Sequence, residues 1–222
     1  MASKFRNTHW LKSNGFAPQI FLFKNLESGQ VVYSQTPHIT QYQIKQQFFR
    51  PNWENRLPST RRDLWRPMAV LQLESYEKAT QAYHALVELR YMRQVSKRKE
   101  AEALRKRNEY SQIWYSGQFR PTWSQEATSD LSLVLDELNL KNVKIYWDSL
   151  WRKGDDKYWD LKKVKHLEID NVVGTRERFV VLDEIRKLGL DDFKKLNEQK
   201  KVVSEAAASE AAGAQAQATA TA

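Results

Sequence analysis

Between Arg50 and Arg66 five arginines (Arg50, Arg56, Arg61, Arg62 and Arg66) are interspersed with Pro51 and Pro58 and with two tryptophans, Trp53 and Trp65. A guanidinium fork bonds phosphate through two parallel N–H groups and stacks on bases. Proline lowers the entropy lost when such a loop is ordered. A merely solvated basic loop would not need two tryptophans. The pattern points to nucleic-acid contact.

A second basic run holds Arg90, Arg93, Lys97, Arg98, Lys99, Arg105, Lys106 and Arg107, against only Glu100 and Glu102. Solvated helices usually alternate charge signs along a face, whereas this run places cations on every side of the cylinder. Such an arm is either frayed in water or held by a polyanion. Trp114, Tyr115, Phe119, Arg120 and Trp123 then cluster around Gly117 and Pro121. They form either a base-stacking platform, with Trp114, Tyr115 and Trp123 as its rings, or a small loop core. The frequency with which aromatic rings are buried favours the core.

Catalytic chemistry has weaker support. Asp148, Asp155, Asp156 and Asp160 could gather oxygens around Mg²⁺ for phosphodiester cleavage. Arg152, Lys153 and Lys157 lie in the same stretch, so local charge balance explains it more simply. His9, His38, His84 and His166 are isolated from one another and suggest no zinc site. There is no GxxxxGK[ST], GxGxxG or GxSxG, and the absence of cysteine excludes disulfides, thiolate metal sites and thiol catalysis. The reading is a non-enzyme without cofactor or metal.

The charge is unevenly placed. Of the 222 residues, the first 123 carry 20 Lys/Arg against 9 Asp/Glu, and the rest carry 16 against 18. A basic N-terminal half suggests a face turned toward a polyanion. No apolar run is long enough to cross a bilayer, so no membrane insertion is expected. Nothing acidic precedes Glu27, the acid-poor pattern of a mitochondrial presequence as much as of an ordinary basic extension.

These residues need elements to position them. Ile20–Leu26 and Gln30–Ser34 are rich in β-branched and aromatic residues around Glu27-Ser28-Gly29, which predicts a hairpin turning at Gly29. Thr40 and Gln43 resemble a helix cap, giving a short helix over Tyr42–Phe49. Arg50–Arg66 reads as loop and Met68–Leu73 as a central strand. Ser75 caps a long helix whose apolar face (Ala79, Ala82, Tyr83, Leu86, Leu89, Met92) ends near Val95. Ala127, Leu131, Val134, Leu135 and Leu138 follow Ser124 at helical spacing, and Val143–Trp147 reads as a strand. Two helices, Arg176–Leu188 and Asp191–Val203, are expected to break at Gly189. The Ala-rich end reads as a disordered tail.

The expected fold is α+β, with an N-terminal hairpin and a central strand packed on a long helix. Four regions follow: a basic extension with a targeting role over 1–17, a basic nucleic-acid-binding core over 18–123, a helical region over 124–203, and the tail over 204–222.

Five strings in this order, PQIFLFKNLESGQVVYSQTP, RPNWENRLPSTRRDLW, LRYMRQVSKRKEAEALRKRN, WYSGQFRPTWSQEA and IYWDSLWRKGDDKYW, are similar to the fungal mitochondrial homologous-recombination protein. That family is also a component of the large subunit of the fungal mitochondrial ribosome. The likeness runs from about Pro18 to Trp159, with divergence expected beyond. It implies a matrix protein bound to large-subunit rRNA beside neighbouring ribosomal proteins. It also implies roles on mitochondrial DNA in recombination and maintenance, and in transcription activation, which would extend to the nucleus. The resemblance supplies no catalytic residue. A DNA-pairing recombination factor and a metal-dependent nuclease are the alternative functions.

Overall fold

The computed structural model describes residues 5–48, 56–103, 109–111, 122–169 and 180–199. Its framework is a five-stranded sheet in the order β2-β1-β3-β4-β5. Strands β1 (Gln19–Asn25) and β2 (Val31–Ser34) form the expected hairpin, with Gly29 at φ +70°, a left-handed backbone that glycine adopts without Cβ strain. Strand β3 (Trp65–Gln72) is central and antiparallel to both β1 and β4 (Val143–Trp147). It begins three residues earlier than Met68. Trp65 and Arg66 therefore belong to the sheet rather than to a loop.

Alternate residues of β1 enter two different cores, so the strand is apolar almost throughout. Ile20 and Leu22 join Met68, Leu71 and Trp147 beneath helices α3 (Tyr76–Tyr91) and α5 (Trp123–Glu137). Phe21 and Phe23 join Val32, Trp65 and Val70 on the other face, against Ile44 of α2 (Gln41–Gln47) and Leu182 and Ile185 of α6 (residues 180–199). Ser75 caps α3 as its spacing predicts, and Thr40 with Gln43 closes a capping box on α2. A second capping box, Thr122 with Gln125, starts α5 two residues before the expected Ser124.

Three elements depart from expectation. The first is α1 (Thr8–Ser13), capped by Asn7, within the stretch read as a free extension. Leu11 is buried and Phe5 packs against Tyr83 and His84, so residues 5–14 are part of the body.

The second is β5 (Val164–Glu168), which pairs in parallel with β4 inside the region expected to be helical. Only its first residue is buried, so VKHLE lacks the apolar alternation that marks a strand.

The third is α6, which runs unbroken through Gly189. A Cβ there would lie 2.3 Å from Gln19 Nε2 and 3.2 Å from Ala17 Cβ, so this glycine permits close approach rather than ending a helix. The parts of the two expected helices at 176–179 and 200–203, and the tail, lie outside the described residues. No described helix is long and apolar enough to cross a membrane.

Candidate nucleic-acid interface

The structure divides the expected contact residues into buried and exposed sets. Arg90 belongs to the first, at 3% exposure. Its guanidinium carbon lies 4.4 Å from the Tyr33 ring and 5.8 Å from the rings of Phe48 and Trp123. Cation–π attraction offsets part of the cost of burying the charge. Nη1 donates to Gln47 Oε1 at 3.3 Å, and the same amide oxygen accepts the Tyr33 backbone N–H at 2.8 Å. Gln47 Nε2 returns a bond to the Tyr33 carbonyl at 2.5 Å. Burial pushes the Tyr33 hydroxyl up to about 12, opposed by Arg90.

Arg93 follows in a wider π-type turn, Met92–Ser96, and donates to both oxygens of Asp130 on α5. Glu126 lies 3.7 Å away. Arg90 and Arg93 therefore bind α3 to α5 and β2; burial withdraws Arg90 from the expected phosphate contact, while Arg93 is held by Asp130 with part of its side chain still in solvent. Both were drawn into the basic run because sequence carries no sign of the acid and rings that converge on them.

Trp65 is corrected likewise. It is 5% exposed with Nε1 donating to the Ser59 carbonyl at 2.9 Å, so its ring cannot take a base. Trp123 is half-buried and packs against Phe48 and both cores.

The exposed set consists of Arg56, Arg61, Arg62, Arg66, Lys97, Arg98 and Lys99. Arg61 and Asp63 pair at 2.6 Å, and their hydrogen bond holds the arginine up and the carboxyl down from their usual values. Arg98 pairs with Glu102 at 2.7 Å on α4 (Arg98–Ala103). Past the π-type turn no described residue before Ala101 is even half-buried, so Lys97–Lys99 stand outside the packed body. Arg50, Trp53, Arg105, Lys106, Arg107, Trp114, Tyr115 and Arg120 lie outside the described residues.

Two features escaped the sequence reading. Lys24 is directly opposite Arg66 across β1 and β3, a pairing set by a non-local ladder with a register shift between Leu22 and Phe23, which the β1–β2 hairpin does not reveal. Trp151 stands 74% exposed in the turn after β4.

The carboxylates of that turn have basic partners. Asp148 meets Arg152 at 2.6 Å, Asp155 meets Lys157 at 3.2 Å, Asp160 meets Lys163 at 3.0 Å, and Asp156 pairs with Lys153. Burial raises the Asp148 carboxyl against the pull of Arg152, while Lys163 lowers Asp160. Among the described residues no group of His, Asp or Glu is arranged to hold a metal. A groove of about 870 Å³ between α5 and this turn is lined by Arg152, Lys153, Lys157, Tyr158 and Trp159 beside Ser129 and Ser132.

Fold and surface together define a basic α+β protein whose exposed cations gather before β3 and beyond α3. Residues 17–100 match the Mhr1 family, described as transcriptional regulation of mitochondrial recombination. The chain is 51% identical over 183 residues to large ribosomal subunit protein mL67 of Debaryomyces hansenii, covering 82% of this chain and 78% of the relative. It is 45% identical over 207 residues to the Candida albicans mL67, covering 93% and 86%. The Eremothecium gossypii mL67 is 48% identical over 187 residues, covering 83% and 87%. The chain belongs to this family of mitochondrial proteins. A likeness ending at Trp159 could not cover 93% of the chain, so the expected divergence after that residue is corrected.

Proposed function

We propose that this protein is a structural component of the mitochondrial large ribosomal subunit, in the matrix, and acts by binding rRNA rather than by catalysis. The carrying observation is the exposed Lys97-Arg98-Lys99 segment beyond the last packed turn of α3, where charge has no core to serve. Arg56, Arg61, Arg62 and Arg66 extend the positive surface. Arg50, Arg105, Lys106, Arg107 and Arg120 are assigned to it from sequence. Base stacking is assigned to Trp53, Trp114 and Tyr115, and Trp65 serves packing. Phosphate contacts of this kind fix orientation on the RNA without reading its sequence. The ribosomal names of the relatives support the reading. So does the pairing of each carboxylate in the Asp148–Asp160 turn with a base, which leaves a nuclease no unpaired carboxylate there.

The test is sedimentation of tagged protein from mitochondrial lysate. Co-migration with the large subunit, lost on RNase treatment, is expected. Migration that only DNase disturbs would overturn it.

A second reading follows from the family description: a role on mitochondrial DNA in recombination and maintenance, with transcription activation extending to the nucleus. The same exposed cations would serve it, since backbone charge is common to both nucleic acids. It predicts a DNase-sensitive pool beside the ribosomal one.

A further inference from the structure

The end of the sheet where β1 stops, β3 starts and β4 stops carries a feature that folding alone does not explain. Lys24 and Arg66 are cross-strand partners, and directly opposed residues of an antiparallel pair project from the same face. Like charges in that position destabilise a sheet. Neither residue makes an ion pair with a described residue. A third cation joins them from the turn after β4. Asp148 donates its backbone N–H to the Met68 carbonyl at 2.9 Å, which brings the turn alongside the start of β3. Burial, and then Arg152, lower the Lys24 ammonium, with Asp148 opposing. Asp148 is committed to Arg152 at 2.6 Å, so one carboxylate serves three cations.

The neighbouring side chain is Trp151. The Arg152 guanidinium carbon sits 4.6 Å from the ring centroid, while the ring remains 74% exposed. One ring face is thus backed by a cation and the other is open. Aromatic rings with cations beside them are how proteins hold single-stranded nucleic acid: a base stacks on the ring and its phosphate meets the charge.

We propose that Lys24, Arg66, Arg152 and Trp151 form a single-stranded RNA site, with a phosphate between Lys24 and Arg66 and a base on the open face of Trp151. This rests on the RNA-binding reading above, which already holds Arg66, and adds Lys24, Arg152 and Trp151 to it. Arg152, held by Asp148, backs the ring and keeps the phosphate end positive.

The probe is a fluorescein-labelled 12-nucleotide single-stranded RNA of mixed sequence, titrated with full-length protein at several salt concentrations beside an RNA hairpin. Wild type, Trp151→Ala, Lys24→Gln/Arg66→Gln and Lys97→Gln/Arg98→Gln/Lys99→Gln are compared, each checked for an unchanged melting temperature. Trp151→Ala should weaken binding to the single strand about tenfold and hardly change binding to the hairpin. Lys24→Gln/Arg66→Gln should flatten the salt slope on the single strand by about 1.4, two contacts at about 0.7 each. Unchanged affinity and slope in both, with binding still weakened by the Lys97–Lys99 variant, would overturn this site and leave the RNA-binding reading standing. Failure of the wild type to bind either RNA would overturn both. Full RNA affinity combined with lost co-sedimentation with the large subunit would overturn the site in favour of a protein contact.

Discussion

Arg93, in the turn that ends α3, meets Asp130 of α5 oxygen for oxygen: Nη1 donates to Oδ2 at 3.1 Å and Nη2 to Oδ1. The carboxylate is almost completely enclosed, whereas the arginine side chain keeps 29% of its surface in solvent. The pair sits where the packed part of α3 gives way to exposed cations, and it fixes the point at which they leave the body.

Removing Asp130 leaves a partly enclosed guanidinium with only Glu126 near it, 3.7 Å away. Breaking a fully buried pair costs about 3–5 kcal/mol. Residual solvation of Arg93 reduces this, so Asp130→Ala should lose about 2–3 kcal/mol. Urea denaturation measures it, and a midpoint equal to wild type would show that the pair contributes nothing.

Lys97→Gln/Arg98→Gln/Lys99→Gln should do the opposite. These side chains bury no apolar surface in the body, so stability should stay within about 0.5 kcal/mol. RNA affinity should drop for unrelated sequences, and the salt slope on single strands should become shallower by about 2, three contacts at about 0.7. Fluorescence anisotropy across a salt series reads this directly. A slope equal to wild type would place the phosphate contacts elsewhere.

Gly189→Ala introduces a methyl group into the seam between α6 and β1. Gln19 cannot easily move away, because its Nε2 donates to the Ile185 carbonyl at 2.9 Å on that same helix. Overpacking of this kind costs about 1–3 kcal/mol, despite the better helix propensity of alanine. A melting temperature above wild type would mean that the seam is looser than described.

Acid should loosen the protein before carboxylates begin to protonate. Burial lowers His38, His84 and His166 from the usual 6.5, and at His166 the Lys153 charge adds to it while Asp156 opposes. The His166 ring accepts the Trp147 indole N–H at Nδ1, 3.0 Å away, which requires that nitrogen unprotonated. With the folded values depressed, the unfolded chain takes up protons first. The stabilisation is complete above pH 6.5 and is lost as pH falls through the folded values. Melting temperature should drop between pH 7 and 5, and His166→Gln should reduce that drop. A pH-independent melting curve over this range would contradict it.

How much of this was legible in sequence depends on how local each signal was. The hairpin at Gly29, the caps at Thr40 and Ser75, and strand β4 rest on residues adjacent in the chain, and all are found where their spacing places them. Strand β5 was missed because an edge strand with one buried residue has no apolar rhythm. Gly189 was misread because its helix-weakening propensity is local and its contact with Gln19 is not. The same distinction governs the basic run. Arg90 and Lys97 look alike in sequence, and only the fold brings Tyr33, Phe48 and Trp123 around one and leaves the other in solvent.

The Gln47 amide acts on β2 as a one-residue substitute for a sixth strand. It takes the Tyr33 N–H and returns an N–H to the Tyr33 carbonyl, the exchange that a neighbouring backbone would make. An open sheet edge recruits other chains by strand addition, and a satisfied one does not. At Tyr33 the edge is sealed from within the molecule, and Arg90 holds the seal through the same amide oxygen. In a crowded assembly whose neighbouring chains offer many extended segments, this edge resists being zipped onto the wrong one.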